Sequence, residues 1–218
     1  MTMPAALRQR LLDQYEPVRP LPSPWLRATW VAPLAVLALV AAPLWFSVRI
    51  DAPRLGWMAL WGASAMQSVL GLVVVAAAFR ESVPGRTWSR ASTLAWMIAP
   101  MVVVVAVTLM SWEASPILLR RQRWLVAAMC FSGSAATALP VVALASVLAA
   151  RAYPVRPAIA GAMLGLGSGL MADAGWRIFC HFSEPAHVLS AHLAAVVVSS
   201  LLGAVLATAL SAERTRAR

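Results

Sequence analysis

The sequence predicts an all-α polytopic membrane bundle of six transmembrane helices. Three observations carry this. Of the 218 residues, 61% are hydrophobic and only 12% are charged. A soluble domain of this size carries more charge than that. The apolar residues also run in blocks of about 20, the length that crosses a hydrocarbon core of roughly 30 Å as a helix. Mean hydropathy is +0.76. The bundle is expected to occupy residues 28–210, after a cytoplasmic tail over 1–27 and before a short tail over 211–218.

The tail comes first. Leu7, Leu11, Leu12 and Tyr15 follow helical spacing, with Arg8, Arg10, Asp13 and Gln14 between them. Pro17, Pro20, Pro22 and Pro24 then end any helix and form a stiff extended spacer. The stripe suits a short helix offered to a partner's groove. It equally suits a helix lying on anionic lipid. The first 27 residues hold Asp13, Glu16 and four Arg, so no cleavable signal peptide is expected here.

The spans are read as Ala28–Ser47, Met58–Phe79, Ser92–Trp112, Trp124–Ala149, Ala158–Phe179 and His187–Leu210. Trp25, Trp30, Trp57, Trp88, Trp112, Trp124 and Trp176 fall near their ends, where amphipathic rings anchor. Pro33, Pro43, Pro100 and Pro140 lie inside spans and are expected to kink them. Gln67 is the one long polar side chain well inside the second span. In the fifth, Gly161, Gly165 and Gly169 recur every four residues, a stripe that lets helix backbones approach in lipid. Asp173 and Arg177 continue the spacing and can pair at i, i+4. An acid inside a span invites a transport or proton-relay reading. The same pair also serves as a structural lock.

Net charge is +10, and all 18 basic residues are Arg. They flank the spans, so orientation and lipid contact account for them without direct nucleic-acid binding. With the N-terminus inside, twelve Arg fall on the inner side and six on the outer. Both ends are therefore expected in the cytoplasm of a bacterial inner-membrane protein. Only the Arg120, Arg121, Arg123 cluster opposes this.

Cys130 and Cys180 then lie near the outer face, the oxidising side. They are either small packing residues or a sensing pair. A disulfide would need Cα atoms within about 7 Å, and Cys130 sits deeper along its helix than Cys180. His181, His187 and His192 follow Cys180, and thiolate plus imidazole suits a soft metal. Their spacing matches no standard zinc pattern. Gly167-Ser168-Gly169 with His192 resembles the Ser–His dyad of rhomboid proteases. Helical rise puts the two side chains at depths about 10 Å apart, too far for a nucleophile and its base. No enzyme and no cofactor is expected.

The order of several short motifs adds a resemblance. These are Pro17-Val18-Arg19-Pro20-Leu21-Pro22 before the first span and Ser82-Val83-Pro84-Gly85-Arg86 after the second. Cys130, Pro140, Pro154-Val155-Arg156-Pro157, the glycine run from Gly161, and Cys180 follow. Together they resemble the NrsF family of six-helix membrane anti-sigma factors, negative regulators of sigma F. The resemblance implies that the protein holds an extracytoplasmic-function sigma factor inactive at the membrane. It implies contact through the N-terminal tail, and sensing of oxidant or thiol-reactive metal by Cys130 and Cys180. The alternative is a small transport or channel-like protein that uses Asp173.

Overall fold

The computed structural model describes residues 4–13, 20–114 and 124–216. Nine α-helices, two π-type turns and no strand occur among the described residues. Helix α1 spans Ala5–Asp13. The side chains of Leu7, Leu11 and Leu12 and all of Tyr15 lie outside the described residues, as do Pro17, Arg19 and the Arg120, Arg121, Arg123 cluster.

Among the described residues, six segments are long and apolar enough to cross a membrane: Pro24–Phe46, Ala52–Glu81, Arg90–Met110, Trp124–Ala150, Pro157–Phe179 and Pro185–Arg216. The first is α2. Ser23 caps it, its hydroxyl accepting from the Leu26 N–H at 3.2 Å, and Pro24 takes the first turn, where no N–H is needed. The second is compound. Short α3 (Ala52–Trp57) breaks at Gly56, whose φ of 74° only glycine adopts freely. A π-type turn over Met58–Gly62 leads into α4 (Ala63–Glu81). Then come α5 (Arg90–Ala114), α6 (Trp124–Ala150) and α7 (Pro157–Phe179). The last segment opens with α8, a single turn over Pro185–His187. A π-type turn over Val188–Leu193 follows, and then α9 (Ala194–Arg216).

Helix α7 is the central element. Of its most apolar stretch 83% is buried, against 28% for α2 and for the α8–α9 segment, although it is the least hydropathic of the six. Burial here follows from small side chains rather than large ones. α7 packs on α9, α4, α6 and α2, while α5 stands at the edge. At Gly165 a Cβ would run into the Ser199 carbonyl of α9 and lie 2.7 Å from Ser200 Cα, so the two backbones touch. Without a hydrophobic drive between helices in lipid, such close van der Waals contact is what holds them. Exposed Val36, Leu44, Met58, Val69, Leu125 and Val205 cover the outside of the bundle.

Two expectations about flanking residues are corrected. Arg27 is not a headgroup anchor before the first span. It lies inside α2, 1% exposed, where Nη2 donates to the Phe79 carbonyl of α4 at 2.6 Å and the guanidinium stacks over the Phe79 ring at 4.8 Å. Trp176 is not an interfacial anchor either. Its ring lies on α6 at Gly133, and its Nε1–H donates to Thr137 Oγ1 at 3.0 Å. A buried ring with an N–H needs such a partner.

The end of the bundle that carries Arg27 is tied by one carboxylate. Glu81 is fully buried at the end of α4. It pairs with Arg156, which precedes α7, at 2.6 Å, and accepts from the Trp88 N–H at 2.7 Å. Arg156 also donates to the Trp88 carbonyl at 2.8 Å. The Pro-rich turn before α7 and the turn before α5 are thereby joined to α4.

Candidate functional site

The other end of the bundle gathers nearly all the reactive side chains. Cys130 points inward from the first third of α6, and Cys180 ends α7. Cys130 packs with Cys180, Phe182 and Ala191 in a small buried cluster. One sulfur or nitrogen each from Cys130, Cys180, His187 and His192 lie within 4.8 Å of one another, and all four residues are buried. The offset in depth read from the sequence is therefore closed in the fold. Both thiols are free.

The chain between Cys180 and His187 is held in place from outside the cluster. Arg49, in the connection after α2, pairs with Asp51 at 2.5 and 2.7 Å. Its guanidinium also donates to Ser183 Oγ at 3.0 Å and to the His181 carbonyl at 3.3 Å. The Arg49 N–H donates to the Ile178 carbonyl at 2.9 Å. Arg49, expected as an outer-face flanking residue, is thus a clamp on the segment that presents Cys180. His181 does not join the cluster. Its ring stacks on Phe182, with centroids 4.3 Å apart, so it drops out as a metal candidate.

The π-type turn explains how two histidines reach one point. On an α-helix, residues five apart differ by about 140° in direction. A π turn closes i to i+5 and stacks them instead. His187 caps that turn and His192 lies within it, and their rings meet edge to face with centroids 5.3 Å apart. His187 Nε2 lies 3.2 Å from Cys180 Sγ.

Asp173 sits beneath the cluster as its anchor. It is fully buried on α7. Arg177 Nε donates to Oδ2 at 2.9 Å, and Gln67 Nε2 of α4 donates to the same oxygen at 2.7 Å. His192 Nδ1 lies 2.6 Å from Oδ1. A carboxylate only accepts, so Nδ1 is the protonated nitrogen and Nε2 is left for the cluster. Arg177 continues to Thr108 Oγ1 of α5 at 2.9 Å. The expected Asp173–Arg177 pair is present, within a network from four helices that includes His192. The Ser–His dyad does not form, because Ser168 donates to the Leu164 carbonyl at 2.8 Å while His192 is engaged with Asp173. A cavity of about 40 Å³ adjoins the cluster, with Arg49, Gln67, Arg177, Cys180 and His192 in its wall. That is room for a water or a bare ion.

What sequence reasoning missed is the convergence of His187 and His192 with the two cysteines. The five-residue spacing conceals it unless the helix widens. The only readable signal was the density of Cys and His on either side of one short connection.

Six membrane-length helices among the described residues, with a buried thiol–imidazole cluster at one end of the bundle, define a small polytopic membrane protein. The chain belongs to the NrsF family, negative regulator of sigma F, whose model matches residues 11–211. No curated protein and no solved structure matches it. The family assignment makes a sigma factor the partner and regulation the role.

Proposed function

We propose that this protein is an anti-sigma factor of the bacterial inner membrane that binds an extracytoplasmic-function sigma factor through its N-terminal tail. It releases that factor when Cys130 and Cys180 react with an oxidant or a thiol-reactive metal on the outer side. The observation that carries the reading is the meeting of two free, buried thiols from α6 and α7 within 4.8 Å. Thiolates are both nucleophiles and soft-metal ligands, so either chemistry would draw α6 and α7 together at that end. α7 runs from this cluster to Pro157, next to Arg156 and the buried Glu81 pair at the opposite end. A shift of α7 would therefore reach the end from which α2 and the tail emerge.

The Asp173 environment favours this reading over transport. A relay acid needs a free face toward a pathway. Asp173 instead receives Arg177, Gln67 and His192 at once.

Induction of the sigma regulon in cells carrying Cys130→Ser, Cys180→Ser or both tests the proposal. Each single variant should lose the response to oxidant or metal at normal protein levels. A double variant that still responds would make the cysteines packing residues and move signal entry elsewhere.

A further inference from the structure

We infer that Cys130, Cys180, His187 and His192 form a four-ligand site for one thiophilic divalent cation of the zinc or cadmium class, with Asp173 as its positioning residue. The inference deepens the proposed sensing role and rests on that reading only for its biological use. The site itself stands on geometry.

Two thiols placed for redox exchange need nothing but each other. Here two imidazoles are brought to the same point as well, at the cost of a widened helix turn over Val188–Leu193. Such turns are rare and are frequently found at functional sites. A tetrahedral S₂N₂ site with metal–sulfur bonds of about 2.3 Å and metal–nitrogen bonds of about 2.0 Å has ligand-to-ligand edges of about 3.3–3.8 Å. The four ligand atoms already lie within 4.8 Å of one another, and the Cys180–His187 pair stands at 3.2 Å. Closing on a cation takes small side-chain movements. Hard cations prefer oxygen ligands, and the cluster presents none, so the donor set selects a soft or borderline ion.

The carboxylate beneath the cluster fits the same purpose. Metal-binding histidines typically donate their second ring N–H to a carboxylate, which fixes tautomer and ring orientation. Asp173 does this for His192 at 2.6 Å, while Arg177 and Gln67 hold Asp173 itself. His187 has no such support, and its Nδ1 is buried without a hydrogen bond. His192 is therefore the preset ligand and His187 the one that a bound metal would order.

Charge balance favours a dication at this depth. Two thiols bind it as thiolates and give two protons to solvent. No electron is transferred, and the net charge of the buried site does not change. An uncompensated charge would be strongly opposed there.

The test uses the full-length reduced protein in detergent, titrated with cadmium(II) and with cobalt(II) as a coordination probe. The expected result is one ion per chain, with thiolate-to-metal charge-transfer absorption and tetrahedral cobalt bands. His187→Asn and His192→Asn should each lower affinity at least about tenfold and change the cobalt spectrum. Asp173→Asn should lower it about 10- to 100-fold while the charge-transfer band persists, as expected when a positioning group is lost. His187→Asn leaves the Asp173 network intact, so it answers the question even if Asp173→Asn does not fold. Histidine variants that bind like the wild type would overturn the four-ligand site. So would reduced protein that takes up no ion and only forms a Cys130–Cys180 disulfide with oxidant, a result that leaves the anti-sigma reading standing. Conversely, sigma release that ignores the cysteines would end the sensing proposal and leave a metal site without that role.

Discussion

The contact between α7 and α9 at Gly165 can be challenged with a single methyl group. In Gly165→Ala the new Cβ would overlap the Ser199 carbonyl oxygen and lie 2.7 Å from both Ser199 C and Ser200 Cα. All three obstacles are backbone atoms, so no rotamer change relieves them. Ordinary van der Waals contact begins near 3.4 Å. Clearing the two carbon atoms alone takes about 0.7 Å, and the nearer carbonyl oxygen demands more; a gap of even about 0.7 Å forfeits a quarter to a half of the dispersion well along the seam. Overpacking of this kind costs about 1–3 kcal/mol. Backbone obstacles put Gly165→Ala in the upper part of that range, about 2–3 kcal/mol, or roughly 30- to 150-fold in the folding equilibrium. The same substitution at Gly62 is an internal control, because its Cβ would meet only the flexible Met58 side chain at 3.5 Å. There the gain in helix propensity, up to about 1 kcal/mol, should dominate. Unfolding in mixed micelles with rising SDS, followed by tryptophan fluorescence, measures both. A Gly165→Ala protein as stable as the wild type would refute the backbone-to-backbone seam. The seam matters for the site, since it sets the distance between Asp173 on α7 and His192 at the start of the last helix.

Three further outcomes are expected. Leu11→Asp or Leu12→Asp should free the sigma factor without stress, since a charge in an apolar groove costs a few kcal/mol; unchanged co-purification of the sigma factor would reduce the tail to a membrane anchor. Topology reporters after Arg218 or within Ser82–Arg86 should behave as cytoplasmic and one within Ser183–Ala186 as external, and the reverse pattern would put Cys130 and Cys180 on the wrong side for an outer signal. Arg27→Met keeps the aliphatic stem but removes the 2.6 Å bond to the Phe79 carbonyl, so the same micelle assay should show a loss of about 1.5–3 kcal/mol; no loss would mean that the guanidinium is solvated rather than holding α2 to α4.

The composition of the chain was enough to define six membrane helices, because crossing a bilayer demands long apolar runs that stand out in any sequence. The observed helices follow those runs. They differ mainly at their ends, with α2 starting at Pro24 and the last segment running on to Arg216. The glycine stripe and the Asp173–Arg177 spacing were legible for a similar reason, since both obey the regular period of an α-helix. Motif order also pointed to the family, although no single motif would have done so.

Departures from that regular period were not legible. The π-type turn over Val188–Leu193 has no strong sequence signature, yet it decides that His187 and His192 share a face. Arg27, Arg49 and Trp176 look like flanking anchors in a linear chain, and only neighbouring helices reveal them as buried partners of Phe79, Ser183 and Thr137. Sequence alone thus determined how many times the chain can cross a membrane and which residues could react, because both depend on local composition. The tertiary structure decided which of those residues meet, because Cys130, Cys180, His187 and His192 are joined by the packing of α6, α7 and the last helix segment, whose contacts no local pattern records.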